Sequence, residues 1–180
     1  ELQLCGPDEE EPAINAILSA GEAALPALVQ HFPGPLWFDR HQPHRRLPRG
    51  RDISAIGRAI VAFGERAVPY VSSLLGGGDD DVRFYATLLA SELSSPSLVH
   101  SLGRRIFDSD AGVRALVLDV LRLYQHYERD YEEVLEGLRA ESRVPRKDVD
   151  RRAIAIRALG ELRDVESLEM LAELLKDEDR

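Results

Sequence analysis

The chain has 180 residues, with 32 acidic and 23 basic side chains, a net charge of −9 and one cysteine. A chain this long buries about 70% of its unfolded surface, so its core needs no metal staple, and one cysteine cannot supply a disulfide framework. No apolar run approaches the ~20 residues of a membrane span, and the acidic balance excludes a protein that coats nucleic acid with its whole surface.

Near the N-terminus, Cys5 follows Leu4, not the small residue that a lipoprotein cleavage site requires, so it reads as an inert thiol. No basic stretch leads into an apolar one, so no signal peptide is visible and the cytoplasm is the expected compartment. Arg outnumbers Lys 21 to 2 and Asn15 is the only Asn, a bias associated with GC-rich bacterial genomes.

The first predicted helix pair covers 12–32, with Gly21 between its helices and Pro26 in a first turn. The segment 33–51 follows and breaks the pattern. A second pair covers 52–75, with Asp52 as N-cap and Ile56, Ala59, Ile60 and Phe63 at steps of three and four. Gly64 and Pro69 punctuate it as Gly21 and Pro26 punctuate the first. The third pair, 79–107, opens on Asp79 to Asp81, and Ser95 is placed to cap its second helix with Pro96 at the first position. The fourth, 110–140, opens on Asp110. The fifth, 148–176, opens on Asp148, has Gly160 where a helix should end and Asp164 as the next cap, and carries Leu168, Leu171, Leu174 and Leu175 on one stripe. No stretch reads better as a strand.

The chain repeats itself. Gly-Glu-x-Ala-aliphatic-Pro-x-aliphatic begins at Gly21 and again at Gly64. Val82-Arg83, Val113-Arg114 and Arg151-Arg152 each follow acids. Each pair has an apolar stripe that it cannot bury alone, and stacking the pairs buries them together. Asp-x-x-Val-Arg, then Ala-x-x-Ala-Leu-Gly, then an aliphatic helix ending Leu-Leu-x-Asp resembles the HEAT repeat. More narrowly, it is similar to the short bacterial HEAT-like repeats of phycobilin lyases. The resemblance is closest at 148–179 and weakest at 12–32. Arg151 stands where the family has an aliphatic residue, Val117 stands where it has an Ala, and Gln125 to Asp130 stretch the chain. The resemblance implies an all-α, right-handed α-solenoid of about five helix pairs in one domain. It also implies that Arg83, Arg114 and Arg152 reach acids of their own or a neighbouring repeat and tie the stack together.

In such repeats the second helices line the concave face. There Glu132, Glu133, Glu136, Arg139, Glu169 and Glu173 form an acidic stripe. It reads as a solvated face or as a groove for a basic partner segment, with Glu132, Glu136, Glu169 and Glu173 as its contacts. His100, Ser97, Ser101 and Arg104 make the middle pair mixed.

Segment 33–51 holds four prolines, the only Trp and two of the five His, and its five Arg and one Asp make it net +4. It reads in three ways. One is an ordered strap with Trp37 and Phe38 packed over the first two pairs and its arginines on repeat acids. Another is an interaction loop that binds a partner through Trp37, Phe38, Arg40, Arg45, Arg46, Arg49 and Arg51, residue types common at binding hot spots. The third is an anion or nucleic-acid contact over 36–51, which the acidic remainder of the chain disfavours. His41 and His44 with Asp39 lack a third strong ligand, so no metal is expected.

No nucleophile elbow, phosphate-binding Gly-rich motif or zinc-protease motif is present, and no His precedes a Glu as in the di-iron HEAT-like enzymes. No cofactor and no catalysis are expected. The expected function is a protein–protein interaction or scaffold module, and a piece of a larger chain or assembly. The alternatives are a subunit of a chromophore-lyase-type or chaperone-like HEAT protein, and a nucleic-acid or anion binder.

Overall fold

The computed structural model of the chain describes residues 7–143 and 149–174. Cys5, Asp148 and Leu175 lie outside them. The described residues are all-helical, with ten α-helices joined by turns, several of them 3₁₀, and no strand. The helices are α1 (Pro7–Ser19), α2 (Leu25–Gln30), α3 (Ala55–Ala62), α4 (Val68–Leu75), α5 (Asp80–Leu93), α6 (Val99–Arg105), α7 (Ala111–Arg122), α8 (Glu128–Arg143), α9 (Val149–Glu161) and α10 (Leu168–Leu174). None of them is long and apolar enough to cross a membrane.

Local chemistry sets the boundaries. Asp79 and Asp110 cap α5 and α7 by accepting from the N–H groups of Val82 and Val113 at 3.0 and 2.8 Å. Asp52 does not cap α3. It sits in a 3₁₀ turn over Gly50–Asp52, and Ser54 takes the cap by accepting from Gly57 N–H at 2.9 Å. Ser95 turns its hydroxyl to Glu65 instead of capping. Gly21 and Gly64 have positive φ just after α1 and α3, as helix stops that only glycine adopts freely. Gly160 lies inside α9, which instead ends with Arg163 at φ 58°.

Helices α1, α3, α5 and α7 each pack on the next, and so do α2, α4, α6 and α8. Their facing stripes form one core that includes Leu25, Ile60, Leu75, Leu89, Leu102 and Leu121. The last step differs, because α9 packs chiefly on α8 and stands away from α7. Arg122 of α7 still reaches the Glu161 carbonyl of α9 at 3.0 and 3.1 Å.

Two buried ion pairs clamp the turns. Arg83 donates to both oxygens of Asp108 at 2.7 and 2.8 Å, and to the carbonyls of Gly77 and Gly78. Arg139 grips Asp164 in the same two-pronged way at 2.7 and 2.5 Å. Arg114 and Arg152 correct the expectation of a uniform acid ladder. Arg114 donates to the carbonyls of Asp108 and Ser109, and Arg152 to that of Ser142.

Burial pushes the Asp108 carboxyl up, but the hydrogen bonds from Arg83 and from Asp110 N–H, with the charges of Arg83 and Arg105, together hold it below its usual range. For Asp164 the Arg139 hydrogen bonds are the largest influence, and they hold its carboxyl below the usual range against burial. A carboxyl depressed in the folded state stabilises the fold fully above its unfolded pKa, and that stabilisation disappears as pH falls through the folded value. Stability should therefore decline below about pH 4. The decline should be shallower in Asp164→Asn, as read by urea unfolding at pH 3 to 6.

Candidate interaction surface on the strap

Segment 33–51 is an ordered strap. Its prolines prevent helix, so its backbone groups need other partners. Trp37 N–H donates to the Ile53 carbonyl at 2.8 Å. The buried Tyr85 hydroxyl of α5 donates to the Phe38 carbonyl and accepts from Arg40 N–H, both at 3.1 Å. Burial is the main force raising the Tyr85 pKa, which keeps the phenol protonated as a clasp.

Arg40 is the strap's main anchor. Its side chain is only 6% exposed and meets Asp80 at 3.2 Å, Asp81 at 2.5 Å and Asp110 at 3.0 Å. It also lies 5.0 Å above the Phe84 ring. The strap therefore runs from α3, where Trp37 meets Arg58, across α5 to the N-terminus of α7. Arg51 is likewise engaged, with Glu92 of α5. Gly50 lets the strap lie directly on the backbone of α5 at Leu88 and Leu89. Phe38 and Leu47 are half-buried against the core.

The seven predicted strap residues thus divide. Arg40 and Arg51 are held by acids of this chain, and Phe38 faces inward. Trp37 is 50% exposed, and the Arg58 guanidinium of α3 stacks 4.7 Å from its ring. Arg45, Arg46 and Arg49 are exposed and form no ion pair among the described residues. Arg58 is the member that sequence reasoning missed. It lies among Ile56, Ala59 and Ile60, whose spacing predicts a helix, but only the fold brings it to Trp37.

The acidic stripe is less uniform than its sequence. Arg139 is buried within it and pairs with Glu132 at 2.5 Å and Glu166 at 3.1 Å. Glu136, Glu169 and Glu173 remain exposed. Helices α8 and α10 meet at Ser142 and Met170, whose hydroxyl and sulfur are 3.1 Å apart. Glu133 faces His100 at 3.4 Å. Among the described residues, no three His, Cys, Asp or Glu side chains converge as metal ligands. No protein-family model matches the chain, and no curated protein matches it.

Proposed function

We propose that the chain is a HEAT-like α-solenoid acting as a non-catalytic protein-interaction module, and that the outer edge of its strap docks an acidic segment of a partner. The sequential packing of alternate helices supports the stacked-pair architecture. The observation that carries the docking reading is the state of the strap arginines. Arg40 and Arg51 spend their charge on this chain, whereas Arg45, Arg46 and Arg49 of the same strap are exposed with no ion pair among the described residues, and Trp37 is half-exposed. A pinned backbone with an exposed indole and free guanidinium groups is pre-organised for binding, because little conformational entropy remains to be lost.

The test is affinity capture from the source cell with wild type, Trp37→Ala and the Arg45→Glu, Arg46→Glu double variant. Recovery of the main partner should fall at least about tenfold in both variants, as loss of a hot-spot residue does. Undiminished recovery of the same proteins by both variants would overturn the reading. A partner that is nucleic acid would also overturn it, and would reveal itself by an affinity that falls steeply with salt.

A further inference from the structure

The inner side of the strap lies on α5 and α7 as a peptide lies in a binding site. The Tyr85 hydroxyl bonds to the strap's backbone alone, at the Phe38 carbonyl and the Arg40 N–H, so it can hold any extended segment. The Phe84 ring lies 5.0 Å from the Arg40 guanidinium. Asp80, Asp81 and Asp110 converge on the same guanidinium from the N-terminal ends of two helices. Together these groups select an arginine and leave the residues around it open.

The strap fills this seat incompletely. Arg40 brings one positive charge to three carboxylates. Among the described residues the only other side chain in ion-pair reach of them is His41, which meets Asp81 at 3.0 Å and is charged only when protonated. A cavity of about 370 Å³ remains beside the strap, lined by His44, Leu47, Ala115, Leu116 and Asp119. This lies within the roughly 300–1,000 Å³ typical of ligand clefts. Residues 41–46 are all exposed. Among the described residues, no backbone group from 41 to 48 hydrogen-bonds outside the strap. The stretch beyond Arg40 is therefore weakly held, and segments with few buried contacts open first.

We propose that the α5–α7 seat is a recognition site for an extended basic segment of a partner protein, and that the strap occupies it as an autoinhibitory stand-in. The occupant carries an apolar residue two positions before an arginine, as Phe38 precedes Arg40. It carries a second arginine or lysine directly after that arginine, where the strap has His41. The added charge answers the carboxylates that one guanidinium cannot balance. The strap is tethered, so it competes at an effective concentration of the order of millimolar. A partner segment displaces it only through contacts that the strap lacks, which are the second cation and a side chain filling the cavity over Ala115 and Leu116. The site is on the inner side of the strap and does not depend on the outer edge binding anything.

The probe is a synthetic peptide of strap residues 38–47 with His41→Arg, titrated into the whole chain. It is labelled for fluorescence anisotropy and unlabelled for the other readings. It contains no Trp, so the tryptophan emission is that of Trp37 in the strap alone. Wild type should bind it, with methyl NMR shifts at Ala115 and Leu116 and a red shift of the Trp37 emission as the strap leaves. The same peptide with Arg40→Ala should bind at least about tenfold more weakly. The protein variant Arg40→Ala, whose strap has lost its anchor, should bind the first peptide at least about tenfold tighter than wild type, because more of its seats stand open. Adding Asp80→Asn and Asp81→Asn to that variant should remove the gain. Four results would each overturn the proposal: no binding by wild type up to millimolar peptide, equal affinity for the two peptides, binding by wild type without a change in Trp37 emission, or equal affinity of wild type and a folded Arg40→Ala variant. If Arg40→Ala does not fold, the two peptides on wild type decide. None of these variants alters Trp37, Arg45, Arg46 or Arg49, so the outcome is separate from that of the outer-edge reading.

Discussion

Asp108→Ala should destabilise the fold by about 3–5 kcal/mol, the cost of stranding one member of a buried ion pair. The Asp108 side chain is 1% exposed and that of Arg83 is 6% exposed, so water cannot replace the lost carboxylate. The same carboxylate accepts from Asp110 N–H at 3.0 Å, at the start of α7, so the turn between α6 and α7 loses a backbone partner as well. Urea unfolding measures the change. Replacing both partners, Arg83→Met with Asp108→Leu, should cost less than Asp108→Ala alone, because no charge is then left buried. Arg129→Ala provides the contrast. Its side chain is 90% exposed, so loss of its pair with Glu133 should cost less than about 1 kcal/mol. A loss for Asp108→Ala as small as that for Arg129→Ala would refute the clamp.

Gly50→Ala should cost about 3 kcal/mol, at the upper end of what overpacking usually costs. A methyl group there would lie 2.6 Å from the Leu88 carbonyl oxygen and 2.8 Å from the Leu89 Cα. Both are backbone atoms of α5, so no side-chain rotation relieves the clash. The strap must lift, which pulls Arg51 from Glu92. Unfolding should shift to lower urea, and trypsin should cut after Arg45 and Arg46 sooner than in wild type. Gly137→Ala should do the opposite. Nothing lies within 4 Å of the added methyl in the middle of α8, so helix propensity alone should stabilise the fold by up to about 1 kcal/mol. Equal proteolysis of Gly50→Ala and wild type would show that the strap does not rest on α5.

The all-helical class was legible because its signals are local. The three- and four-residue spacing of Ile56, Ala59, Ile60 and Phe63 needs only one helix to express itself, and Asp110 caps the residues immediately after it. The failures share a cause. Asp52, Ser95 and Asp164 all have capping chemistry, but each is drawn elsewhere: Asp52 into a 3₁₀ turn, Ser95 to Glu65 and Asp164 to Arg139. The partners of Ser95 and Asp164 lie far away in sequence, and no local pattern announces them. The strap divides in the same way. Its prolines mark it as irregular, but its course over α5 and α7 follows from where Arg40 finds three carboxylates. Which arginines the fold itself engages therefore could not be read from composition, since Arg40 and Arg46 are the same residue type in the same basic run.

The strap also constrains the order in which the molecule can be assembled. Its anchor residue bonds to partners 40, 45 and 70 positions further along the chain, at Asp80, Tyr85 and Asp110. Contacts of such long sequence separation close late, after the neighbouring helices have formed. A growing chain that has made α1 to α4 can seat Trp37 on Arg58 and Ile53, but it has no partner yet for Arg40. Fastening waits until α5 and the first turn of α7 exist. The strap thus serves as a completion mark for the middle of the fold, set only when α5 and α7 stand at their final spacing.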